Sequence, residues 1–115
     1  MSLPLTSHRL AAAYDYLRTW PAFSRCGLPD AEEVEFRIIQ NPRVYGHYTQ
    51  TNHHSIHVSA ATNGLSDTIL RTVAHEMVHQ VLRIKGDPKF WQHGAAFKAL
   101  GKRVCVFAGW DIKAF

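Results

Sequence analysis

Hydrophobic residues recur along this chain with two different periods, and the periods divide it into helices and strands. Leu10, Ala13, Tyr14 and Leu17 share one side of a helix that Thr6 or Ser7 can cap and Pro21 ends, so a first helix is expected through about Trp20. Pro29-Asp30 opens a linker. Val34, Phe36 and Ile38 alternate with Glu35 and Arg37, the period of a half-buried strand. Asn41-Pro42 turns the chain, residues 43–49 read as a second strand, and polar residues 50–53 lead to a third near residues 55–60. Over residues 66–85 the period lengthens: Leu70, Val73, Met77, Val81 and Ile84 recur at steps of three and four, and Ala74, Val78 and Leu82 widen the stripe. Thr72, His75, Glu76, His79 and Arg83 fall on the other side, toward a cleft. Ser66 or Asp67 can cap this helix, and Gly86 followed by Pro88 marks its end. A further helix is expected to begin at His93, with Phe97, Leu100 and Val104 as its inner stripe. The order is helix, three strands, helix, helix. That is an α+β fold whose antiparallel or mixed sheet packs on the helix of residues 66–85.

At 115 residues the chain fits one domain over 1–115, with a modest core. Its 46% hydrophobic and 19% charged residues are those of a soluble globular protein. No run has the apolar length to cross a bilayer, and the N-terminus lacks a signal-peptide layout, so no membrane partner is expected. Cys26 and Cys105 are too few and too far apart for a disulfide framework and read as buried thiols in a reducing cytoplasm. The charge of +4 is uneven. Residues 1–79 carry six Arg against seven acidic groups, whereas residues 80–115 carry seven cations (Arg83, Lys85, Lys89, Lys98, Lys102, Arg103, Lys113) against Asp87 and Asp111. Such a basic end suits nucleic acid or an acidic protein, and equally an ordinary solvated surface.

The chemistry concentrates in His75-Glu76-Met77-Val78-His79. On a helix His79 lies about 40° around the axis from His75, one turn on, and Glu76 about 100° from His75. One ion can therefore touch both imidazoles while Glu76 reaches a water bound to it, the H-E-x-x-H arrangement of zinc hydrolases. Catalytic zinc takes a third protein ligand. A metzincin motif would need Gly and His where Leu82 and Lys85 stand, and no glutamate follows the motif to serve as in gluzincins. His93, Asp87, Asp111 and Cys105 remain downstream. His93 is preferred, since imidazole is a common zinc ligand and residues 85–92 are long enough to reverse the chain.

The segments HEMVHQ and HGAAFKALGKRV, with thirteen residues between His79 and His93, resemble the SprT-like metalloprotease domain, in which HExxH is followed by HGxxF. Val44-Tyr45-Gly46-His47-Tyr48 and Ile56-His57-Val58-Ser59 are also similar to the segments preceding that family's active-site helix, so the resemblance covers residues 34–104. It implies a minimal zincin-like domain in which His75, His79 and His93 bind one Zn2+ and Glu76 is the catalytic base. Many bacterial relatives append a cysteine-rich zinc ribbon. With only Cys26 and Cys105, no second metal module is expected within these residues.

The expected function is thus zinc-dependent endopeptidase activity on an extended polypeptide laid along an edge strand, with DNA or a DNA-bound protein as a further partner by the same resemblance. Two other classes stand beside it: a non-catalytic, zinc-stabilised binding module, and a nucleic-acid-binding protein acting through the basic C-terminal surface. His47, His53, His54 and His57 have no carboxylate or cysteine companion in sequence and no helical spacing, and are read as strand polar residues. Tyr45 and Tyr48 read as sheet packing, although either phenol could polarise a substrate carbonyl.

Overall fold

Helix α1 (Ser7–Arg18) begins where Thr6 accepts a hydrogen bond from the main-chain N–H of Arg9 at 3.1 Å, which satisfies one of the free amides of the first turn. The computed structural model describes residues 5–61 and 66–115; the side chains of Ser66 and Asp67, expected to cap the motif helix, lie outside the described residues. After α1 come β1 (Val34–Ile39), β2 (Gly46–Gln50), β3 (His54–Ser59), α2 (Ser66–Ile84) and α3 (Ala95–Ala108), with 3-10 turns at Ala31–Glu33 and Ile112–Ala114. Helix, three strands and two helices follow in the expected order, and the fold is α+β.

The three-stranded sheet is mixed, in the order β1-β3-β2. β3 occupies the centre, parallel to β1 and antiparallel to β2. The chain leaves β1, crosses to the far edge as β2, and turns back between the two. Pairing of Val34 with His54, Phe36 with Ile56 and Ile38 with Val58 places the apolar set of β1 and β3 on one face. Tyr48, opposite Ile56, joins that face from β2. Glu35, Arg37 and His57 lie on the other.

Helices α1 and α2 cover the apolar face, α1 over β1 and α2 over β2 and β3, and α3 packs against α2. Leu10, Tyr14 and Leu17 of α1 meet Val73, Ala74, Met77, Val78 and Val81 of α2 together with Ile56 and Val58 in one buried cluster. Tyr14 meets the ring of Phe36 edge-on at 5.4 Å. Its hydroxyl donates to the Pro29 carbonyl at 2.7 Å and accepts from Gln80 Nε2 at 3.3 Å, so a buried polar link ties α1 to the middle of α2. Burial pushes the Tyr14 phenol up to about 12, partly opposed by the Gln80 hydrogen bond and by Arg18.

Some details differ from the sequence reading, and β2 starts at Gly46 rather than at residue 43. The first helix stops at Arg18, and the main-chain amides of Trp20 and Phe23 close successive turns instead of extending it. Ile84, expected on the buried stripe of α2, is exposed because the last turn of that helix projects past the core. Among the described residues no helix is long and apolar enough to cross a membrane.

Candidate metal centre and its cleft

α2 is buried nearly all the way round. Thr72, Glu76 and His79, on the side read as polar, are as covered as the apolar stripe. β2, α3 and the C-terminal turn close over that side and make it the floor of a cleft of about 500 Å3. Val44, Tyr45 and Gly46 form one wall, Lys113, Ala114 and Phe115 the other, and Arg71, Thr72, His75 and Glu76 lie between.

Gly46 is needed where the wall meets the floor. A Cβ there would stand 2.4 Å from the His57 carbonyl oxygen and 3.0 Å from Thr72 Cγ2, so only glycine lets β2 lie this close to both β3 and α2.

The end of α2 sets the position of the third histidine. Gly86 adopts φ 80°, a left-handed conformation that glycine takes without steric cost. Its N–H donates to the Arg83 carbonyl at 3.0 Å, and the Asp87 N–H donates to the Leu82 carbonyl at 3.0 Å, a Schellman ending that reverses the chain. Asp87 then accepts from the Lys89 amide at 2.8 Å. These turns return the chain to α2. His93 precedes α3, whose N-cap is Gly94, so the helix starts two residues later than expected.

Here three imidazoles converge. His93 Nε2 lies 3.1 Å from His75 Nε2 and 3.1 Å from His79 Nε2, and one ligand atom from each ring falls within 4.8 Å of the others. The His75 Nδ1–H donates to the main-chain oxygen of Phe115 at 3.0 Å, and the His79 Nδ1–H donates to the Phe90 carbonyl at 2.7 Å. Each bond fixes the tautomer and leaves the Nε2 lone pair facing its neighbours. Phe97, buried on α3, places its ring centroid 4.6–4.8 Å from all three imidazole centroids. A cation between the three Nε2 atoms would take up the lone pairs that face it. The group His75, His79 and His93 could therefore hold a metal ion.

Burial, with the neighbouring His79 and His93, lowers His75 to about 4. Burial lowers His79 as well, aided by His93 and partly opposed by its Phe90 hydrogen bond. Both rings stay neutral near pH 7, the form that binds metals. Glu76, 4% exposed beside them, is pushed up to about 8 by desolvation alone. A neighbouring cation would stabilise its carboxylate and oppose that shift.

The other ligand candidates lie elsewhere. Asp87 and Asp111 accept main-chain amides of their own turns, from Lys89 and Lys113. Cys105 is buried on α3, Cys26 is half-buried, and both are free thiols. His53 finds a carboxylate that its sequence neighbourhood did not offer, Glu35 of β1, at 2.7 Å. His47 and His57 face each other across β2 and β3 with ring centroids 4.2 Å apart. Among the described residues none of these groups joins the triad or forms a second cluster of three. The two tyrosines separate: Tyr48 is buried and hydrogen-bonded to His54, whereas Tyr45 lines the cleft. Phe90 and Phe115 were not foreseen, since they act through main-chain oxygens and no side-chain pattern marks such acceptors.

Comparison with curated proteins and with solved structures finds no match. A family model described as the SprT-like family matches residues 16–114. That span holds the sheet, the three histidines and Glu76, and the chain belongs to the SprT-like family.

Proposed function

We propose that this chain is a zinc-dependent endopeptidase, a single catalytic domain over 1–115. The observation that carries the reading is the convergence of His75, His79 and His93 Nε2 atoms beside a buried Glu76 on an open cleft. Ligand atoms about 2.0–2.1 Å from one zinc at tetrahedral angles stand about 3.3 Å apart; the two His93 separations of 3.1 Å fit that spacing, and the His75–His79 pair lies within 4.8 Å. Three imidazoles, with His75 and Glu76 lining the cleft, suit a catalytic donor set as opposed to a closed structural one.

Bound there, one Zn2+ supplies Lewis acidity, lowering the pKa of water toward about 7 and polarising a carbonyl. The protein's own groups do the rest. Glu76, buried beside the three histidines, takes a proton from the attacking water and passes it to the departing amine. β2 is an edge strand whose start lines the cleft, so an extended polypeptide can add to it through main-chain hydrogen bonds. Recognition of this kind reads backbone more than side chain. Of the two tyrosines, Tyr45 is the one placed to meet such a substrate.

All seven cations of residues 80–115 are exposed, which supports an acidic partner such as DNA or a DNA-bound protein. Binding that weakens steeply as salt rises supports this, and a flat response removes it. Two free thiols fit a cytoplasmic setting. Glu76→Gln tests the enzyme reading: zinc is retained and peptide cleavage falls by about 10²–10⁴-fold. Equal cleavage by both proteins rejects it.

A further inference from the structure

We infer that the C-terminal turn, residues 110–115, is a working part of the metal centre: it positions His75 through the main-chain oxygen of Phe115, and Gly101 of α3 is the seat that lets it do so. The inference rests on the metal-centre reading above and adds a positioning element to it. His75 sits on α2, forty residues away in sequence, and its Nδ1–H has one acceptor, the Phe115 oxygen at 3.0 Å. His79 is held by the connection between α2 and α3, so the two motif histidines are oriented by two separate segments.

Several contacts hold Phe115 in place. Its ring lies 5.2 Å from the His75 ring and 5.9 Å from Phe97, and it stacks on Trp110 at 6.5 Å. The Phe115 N–H donates to the Ile112 carbonyl at 3.2 Å, and Asp111 accepts from the Lys113 amide at 2.9 Å, which fixes the turn. Beneath it lies Gly101. A Cβ at Gly101 would stand 3.2 Å from Phe115 Cδ2 and Cε2 and 3.8 Å from Ile112 Cδ1. The same turn contributes Lys113, Ala114 and Phe115 to the wall opposite β2. One segment therefore sets both the aim of a ligand nitrogen and the width of the channel between the turn and the edge strand.

Gly101→Leu isolates this role. Leucine favours helix more than glycine, so α3 itself is not weakened, and the added side chain is driven into the ring of Phe115. Co2+ serves as probe, its visible absorption reporting the geometry of the nitrogen donors. Gly101→Leu is expected to weaken Co2+ binding by about 10–100-fold, the usual cost of losing a partner that orients a ligand, and to alter the spectrum. Gly101→Ala should do the same to a smaller degree. Asp111→Ala, which uncaps the turn at an exposed position, is the second variant and decides the matter if Gly101→Leu fails to fold. A folded Gly101→Leu or Asp111→Ala protein with wild-type Co2+ affinity and spectrum overturns the inference while leaving the metal centre standing. Failure of the wild-type protein to bind Co2+ overturns the centre itself, and the inference with it.

Discussion

The His79 Nδ1–H donates to the main-chain oxygen of Phe90 at 2.7 Å, and that bond determines which nitrogen of His79 faces His93. Phe90 belongs to the short connection that begins at Gly86, so the turn that ends α2 also orients one of its histidines. The ring of Arg83's neighbour in space is the same Phe90, with the guanidinium 5.1 Å above it, while Arg83 Nε donates to Gln50 Oε1 at 2.8 Å. The connection is thereby pinned to α2 and to the end of β2.

Phe97 is the apolar support shared by the three imidazoles. Phe97→Ala should cost about 3–5 kcal/mol of stability as a buried aromatic is lost. It should also weaken metal binding, because all three rings lose the surface they rest on. Denaturant unfolding in chelator and a metal titration check the two effects separately. A variant that unfolds earlier yet binds metal as tightly would confine Phe97 to a packing role.

Gly46→Ala should destabilise the fold by about 1–3 kcal/mol, since the new methyl would overlap the His57 carbonyl and press on Thr72. The strain falls on the β2 wall, so the affinity for an extended peptide should drop more than the affinity for the metal. Comparison of peptide binding with metal binding in this variant provides the check, and parallel losses would contradict it.

The pH dependence of the metal-free protein follows from two buried groups of opposite sign. His75 is neutral in the fold down to about 4, whereas the unfolded chain takes up a proton near 6.5, so its contribution is present above 6.5 and lost as pH falls toward 4. Glu76 keeps its proton in the fold up to about 8 but ionises near 4.5 when unfolded, so its contribution is present below 4.5 and lost as pH rises toward 8. Between 6.5 and 8 only the Glu76 effect among these two continues, and the unfolding midpoint in chelator should fall across that interval. Glu76→Gln should flatten the fall. An unchanged slope in that variant would show that another group is responsible.

Removing the metal should lower stability by mass action, and free ion at a hundred times its dissociation constant should add about 2.7 kcal/mol. Binding should weaken as pH falls, because protons compete for the imidazoles. Melting curves with and without chelator at two pH values measure both.

Much of this was legible in the sequence because the informative features are local. The spacing of His75, Glu76 and His79 needs only helical geometry, and the alternation of Val34, Phe36 and Ile38 marked the inner face of β1. His93 was singled out by residue type and by the length of the connection, and it does meet the other two rings. The burial of the reactive side of α2 was less legible. Thr72 and Gln80 are polar residues, yet Thr72 is covered by β2 at Gly46 and Gln80 by Tyr14 of α1, and such cover depends on contacts distant in sequence. The parallel pairing of β1 with β3 is likewise a long-range choice that a mixed or antiparallel expectation left open. Main-chain acceptors such as Phe90 and Phe115 leave no compositional trace.

The most direct test is zinc content per chain after exhaustive dialysis, compared between the wild-type protein and His93→Ala. One equivalent in the wild type, with affinity lowered by at least about 100-fold in a folded His93→Ala protein, is the predicted result. A full and equally tight complement in that variant would contradict the three-histidine centre.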